Sequence, residues 1–107
     1  MQVCSPTRAS LLSSRYSYNI GMDGNVLTGK DQRCMPTNMS TVGDQMKNNG
    51  VATAMIGKYD AGYSSWACTP NCRGFDYWLG YYGAAGEALQ VRTAPGWPRT
   101  RANFRLL

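Results

Sequence analysis

The segment from Thr41 to Gly57 constrains the architecture more than any other, because it reads as a helix that runs at once into an apolar strand. Thr41 and Asp44 have capping-box spacing, Val42 and Met46 share a helical face, and Gly50 suits the left-handed residue that ends a helix. Gly43 works against this helix, since glycine in a helix interior costs up to about 1 kcal/mol relative to alanine. Val51 to Gly57 is short and mostly apolar, the pattern of a strand buried on both faces of an α/β sheet. An α/β unit is therefore expected. A chain of 107 residues fits one small domain.

Around that unit, Ser5 to Tyr16 reads as a short helix with Ser5 as N-cap and Pro6 at the first helical position, which sets Cys4 just before the helix's positive end. Tyr18 to Asn38 is rich in Gly, Asn and Asp and reads as an extended surface loop. Phe75 to Tyr82 is dominated by aromatics and suits a short strand or a helical turn. Beyond Glu87, the run Pro95-Gly96-Trp97-Pro98 and the arginines break any periodicity. Two regions follow, 1–87 as the folded part and 88–107 as a disordered basic tail. There is no internal repeat.

Four of the five net positive charges lie in that tail. Seven basic and six acidic residues balance up to Glu87, and Arg92, Arg99, Arg101 and Arg105 follow with no acidic residue. No nucleic-acid-binding module accompanies the tail, so no nucleic-acid partner is expected. Nor is a membrane one, because no run approaches the ~20 apolar residues that span a bilayer. The start Met1-Gln2-Val3-Cys4 lacks the charged leader and apolar stretch of a secretory signal. Asn38-Met39-Ser40 is a glycosylation acceptor triplet. The chain contains no histidine, which removes the commonest general base and metal ligand.

Cysteines at 4, 34, 68 and 72 allow three pairings if all are oxidised. Cys68-Thr69-Pro70-Asn71-Cys72 invites a metal or redox reading, but one close pair without histidine fits a local disulfide or plain thiols better. Cys4-Ser5-Pro6-Thr7-Arg8 carries more. This stretch, with the leucine-containing helix that ends at Arg15, resembles the sulfatase signature of cysteine, any residue, proline, commonly serine, then arginine. Thr7 keeps a hydroxyl where serine is usual. Asn49 to Lys58 resembles a second sulfatase signature, a glycine followed by a small and apolar strand that ends in Gly-Lys. Asn71-Cys72-Arg73-Gly74-Phe75-Asp76-Tyr77-Trp78-Leu79-Gly80-Tyr81 resembles the family's Arg-Gly-Phe-Asp stretch and the aromatic run after it. The three occur in the family's order over residues 2–87, and the character is that of arylsulfatases of the N-acetylgalactosamine-4-sulfatase type.

The resemblance implies an α/β fold, a fragment of the alkaline-phosphatase-like sandwich with much loop, and sulfate-ester hydrolysis. It implies that a formylglycine-generating enzyme oxidises Cys4 to formylglycine, whose hydrated aldehyde attacks sulfur and also ligates calcium. Arg8 would bond that group and Lys58 would reach the sulfate oxygens. Cationic groups and a helix N-terminus suit that task, since the sulfate charge must be held while sulfur is attacked. The substrate would be a sulfated small molecule or glycosaminoglycan, and the setting the secretory route, lysosomal or extracellular. Asp60 departs from the pattern, because the family has histidine there to take the hydroxyl proton that expels sulfate. A carboxylate can accept a proton, but its charge beside an anion is unfavourable. The family's acidic metal ligands precede the cysteine by more than the three residues found here, so the calcium site is expected to be incomplete and the isolated chain inactive. Two other readings stay open, a small secreted disulfide-stabilised binding protein and a truncated gene product without function.

Overall fold

The computed structural model describes residues 3–83, 89–93 and 95. It contains two α-helices, α1 (Cys4–Ser13) and α2 (Val42–Asn48), and three strands, β1 (Ala54–Ile56), β2 (Tyr77–Gly80) and β3 (Gln90–Thr93). The strands form one mixed sheet in the order β1-β2-β3. β1 runs parallel to β2 with Ala54 opposite Tyr77, and β3 runs antiparallel with Thr93 opposite Tyr77. Short 3₁₀ turns lie at Ser17–Ile20, Trp66–Cys68 and Pro70–Cys72.

α2 forms for the reasons its sequence gives. The Thr41 side chain accepts from the Asp44 amide while the Asp44 carboxylate accepts from the Thr41 amide, a complete capping box. At the other end Gly50, with φ of 75°, donates its N–H to the Lys47 carbonyl. Gly43 is explained by packing, since a Cβ there would sit 2.7 Å from the Arg73 carbonyl oxygen and 3.0 Å from the Phe75 ring. The helix tolerates a poor helix former because its first turn must press against that segment.

α1 starts two residues earlier than the sequence suggests. Val3, not Ser5, is the N-cap, without a side-chain capping bond, so Cys4 itself is helical. Ser5 does not cap because its hydroxyl is engaged elsewhere: it donates to Asp60 Oδ1 at 2.9 Å and accepts from the Leu27 amide at 2.8 Å. Pro6 still lies in the first turn, where its missing N–H has no intrahelical acceptor to lose. The helix stops at Ser13, and Ser14 follows in a left-handed conformation.

The Tyr18–Asn38 segment is irregular but not confined to the surface. Ile20, Met22, Leu27 and Met35 are buried, and they complete a core with Ala9, Leu12, Tyr59, Ala61, Phe75 and Trp78. β1, expected to be buried on both faces, is an edge strand with Ala54 and Ile56 exposed. Among the described residues it is paired on one side only. The expected tail boundary at 87 also shifts, because Gln90–Thr93 pairs with β2 as β3. The remainder of the expected 88–107 tail lies outside the described residues, apart from Leu89 and Pro95. Cys34 pairs with Cys68 across 34 positions, while Cys4 and Cys72 are free thiols, so the local Cys68–Cys72 bridge does not form. No described helix is long and apolar enough to cross a membrane.

Asp76 ties β2 to the residues before β1. Its carboxylate accepts from the Thr53 amide at 3.1 Å and pairs with Lys47 Nζ at 3.2 Å. Desolvation alone would raise its pKa, but the Thr53 amide and the Lys47 ammonium outweigh it and hold the carboxyl below the ordinary aspartate value. A lowered folded-state pKa stabilises above the unfolded value and is lost as pH falls through the folded one. Asp76→Asn should therefore cost about 1–2 kcal/mol near neutral pH and flatten the acid limb of stability, measured as denaturant midpoint against pH. An unchanged acid limb would refute the assignment.

Candidate active site

Beyond β1 the chain keeps its pairing with the continuation of β2: the amides of Gly57, Tyr59 and Asp60 donate to the carbonyls of Leu79, Tyr81 and Tyr82 at 2.8, 2.8 and 2.9 Å. Alternation sends Tyr59 and Lys58 to opposite sides. Tyr59 enters the core, fully buried, and its hydroxyl donates to the Cys68 carbonyl at 2.8 Å. Burial pushes its phenol pKa well up. Lys58 instead faces the N-terminus of α1. Asp60 adopts φ of 51°, a left-handed conformation rare outside glycine, which brings its carboxylate back beside Lys58.

The four residues singled out in the sequence meet here. Lys58 Nζ lies 2.8 Å from Asp60 Oδ2, and the Arg8 guanidinium donates to the Lys58 carbonyl. Cys4, an exposed free thiol on the first residue of α1, is the chain neighbour of Ser5, whose hydroxyl bonds the Asp60 carboxylate that holds Lys58. Burial favours loss of the Lys58 proton, but hydrogen bonding to Asp60 and Cys4 and attraction to them outweigh it and hold its pKa above the ordinary lysine value. The ammonium therefore stays charged through neutral pH. The Asp60 side chain has no solvent exposure and that of Lys58 has 22%.

Ser5 is the participant that the sequence did not reveal. Its bond to Asp60 spans 55 positions, and it occupies the variable place of the cysteine-to-arginine signature. A hydroxyl in a first helical turn reads locally as a cap, so no nearby signal could have pointed to Asp60.

Two cations beside the start of a helix can receive an anion next to Cys4. A calcium ion is another matter, since it takes six to eight oxygen ligands. Among the described residues the carboxylate placed at this site is Asp60, with one oxygen on the Ser5 hydroxyl and the other paired with an ammonium. Among the described residues no group of three or more His, Cys, Asp or Glu could hold a metal ion. These residues do not make a calcium site on their own.

The family model for sulfatases matches residues 1–97. The chain belongs to the sulfatase family. Mouse (Mus musculus) arylsulfatase G is 39% identical over 77 residues, which is 72% of this sulfatase chain but 14% of that protein. Human (Homo sapiens) steryl-sulfatase is 32% identical over 88 residues, covering 73% and 15%. The crystal structure of Ps i-CgsB superposes with a TM-score of 0.70 at 32% identity, over 76% of this chain and 18% of that one. The chain thus spans about one seventh of the length of these curated relatives. The α/β class holds, and the chain is a piece of the alkaline-phosphatase-like fold of the sulfatases.

Proposed function

We propose that this chain is the nucleophile-bearing piece of a sulfuric ester hydrolase of the arylsulfatase type. The observation that carries the reading is the free Cys4 thiol on the first residue of α1, with Lys58 paired to Asp60, the partner of the adjacent Ser5, and Arg8 of the same helix bonded to the Lys58 carbonyl. A formylglycine-generating enzyme would oxidise the Cys4 side-chain carbon to an aldehyde with molecular oxygen as the oxidant, the C–S bond breaking and the sulfur leaving as hydrogen sulfide while a C=O bond forms. One hydroxyl of the hydrated aldehyde attacks the sulfur of the ester, the S–O bond to the alcohol breaks, and sulfate stays attached to residue 4. Loss of a proton from the other hydroxyl expels sulfate and restores the aldehyde. Lys58 balances the charge of the sulfate oxygens, and Arg8 braces the Lys58 backbone while adding positive charge beside α1. The calcium of the family would draw its oxygen ligands from outside these residues.

The substrate class that fits is a sulfated small molecule or glycosaminoglycan. The setting is the secretory route, lysosomal or extracellular, which the Cys34–Cys68 disulfide and the exposed Asn38 of the acceptor triplet both suit. The test is mass spectrometry of the Cys4 peptide after co-expression with the formylglycine-generating enzyme. The expected product has lost sulfur and reacts with a hydrazide, and Cys4→Ala removes it. A thiol or a cystine at residue 4 would overturn the proposal and favour a disulfide-stabilised binding module. The isolated chain is expected to leave aryl sulfates unhydrolysed even with calcium; turnover abolished by Cys4→Ala would show that the site is more complete than its carboxylates suggest.

A further inference from the structure

Asp60 stands where the family has a histidine that accepts a proton, yet its surroundings suit another task. Its side chain is wholly enclosed, Oδ1 accepts the Ser5 hydroxyl at 2.9 Å and Oδ2 lies 2.8 Å from the Lys58 ammonium. A carboxylate acting as a proton acceptor must meet the hydroxyl it serves, within about 3 Å or through one water. Here Oδ1 is taken by the Ser5 hydroxyl, and Oδ2, which makes no hydrogen bond, faces the Lys58 ammonium as its counter-ion. Ser5 is fixed in turn, because its oxygen accepts from the Leu27 amide at 2.8 Å and so has its single proton directed at Asp60. The backbone of the same segment is held separately, through the Arg8 guanidinium on the Lys58 carbonyl and the Asp60 amide on the Tyr82 carbonyl.

We propose that Ser5 and Asp60 are positioning residues, a buried hydroxyl and carboxylate that hold the Lys58 ammonium against the side chain of residue 4, with Asp60 serving as counter-ion and not as base. The inference rests on the reading of Cys4 and Lys58 as the working pair, but it concerns their geometry and holds for the unconverted thiol. A flexible lysine has several rotamers, and an enclosed carboxylate that itself cannot turn selects one of them. Ser5 denies Asp60 that turn. Removing either residue should leave the lysine charged but badly aimed.

The chain has three lysines, Lys30, Lys47 and Lys58, so selective lysine labelling gives a readable NMR spectrum. With Cys4 kept as the thiol, the wild type should show nuclear Overhauser contacts between the Lys58 ε-methylene and the Cys4 β-protons, together with slow side-chain relaxation at Lys58. In Asp60→Asn those contacts should be lost and Lys58 should become mobile while Lys47 is unchanged; Ser5→Ala should weaken them in part. A control outside the site, Asp31→Asn, whose carboxylate pairs with Arg33, should alter neither. Contacts that persist in a folded Asp60→Asn chain would overturn the proposal, because a carboxylate with a merely structural part would lower stability without releasing Lys58. If that variant does not fold, the wild type decides: a mobile Lys58 with no contact to residue 4 would be equally fatal. Failure of Cys4 to become an aldehyde would sink the hydrolase reading and leave this measurement intact.

Discussion

Replacing Cys34 with serine should destabilise the chain by about 3–4 kcal/mol, the chain-entropy value for a loop of this length. The bridge joins residues 34 positions apart and so removes many conformations from the unfolded ensemble. It also fastens the site's supports. The Met35 amide donates to the Ala61 carbonyl at 2.9 Å, and Gly62 packs so closely that a Cβ there would meet Cys34 Cα at 2.4 Å. On the other side of the bridge, the Cys68 carbonyl accepts the Tyr59 hydroxyl. A small domain has a total stability of only about 5–15 kcal/mol, so this loss is a large share of it. The check is the denaturant midpoint with and without reductant, and in Cys34→Ser. Equal midpoints would mean that the two sulfurs are not joined in solution.

Gly80→Ala should be as damaging, through crowding. A Cβ at Gly80 would lie 1.7 Å from the Gly57 carbonyl oxygen and 2.6 Å from its carbon. The obstacle is backbone, so no rotamer change can relieve it, and the strands β1 and β2 must part. Overpacking of this kind costs about 3 kcal/mol or more. The damage should reach the site, because Gly57 immediately precedes Lys58 and its amide is hydrogen-bonded to Leu79. Thermal unfolding reads the first effect, and loss of Lys58 contacts to residue 4 reads the second. A variant with wild-type melting would show that the strands are not so close.

What was legible in the sequence was local. Thr41, Asp44 and Gly50 announce α2 because a capping box and a left-handed terminator are formed by residues three to nine positions apart. Cys4, Arg8, Lys58 and Asp60 were found by their order in the signatures, and the fold brings them together at the end of β1. The misses share one cause, which is distance along the chain. Ser5 bonds a partner 55 positions away, and Cys34 chooses Cys68 over nearer and farther thiols. Ile20, Met22, Leu27 and Met35 enter the core from an irregular segment whose apolar spacing has no period to detect. The exposure of β1 depends on how many strands lie beside it, which residues 51–57 do not encode.

The enclosed carboxylate at Asp60 also bears on how such a chain can change over generations. Replacing Asp60 by histidine in one step would put a ring into a slot shaped for a carboxyl group, in a left-handed backbone, and would strip Lys58 of its counter-ion and Ser5 of its acceptor at once. Each neighbour has become conditional on the aspartate. Aspartate is thereby entrenched at this position, and its exchange becomes passable only after Ser5 or its surroundings have altered first.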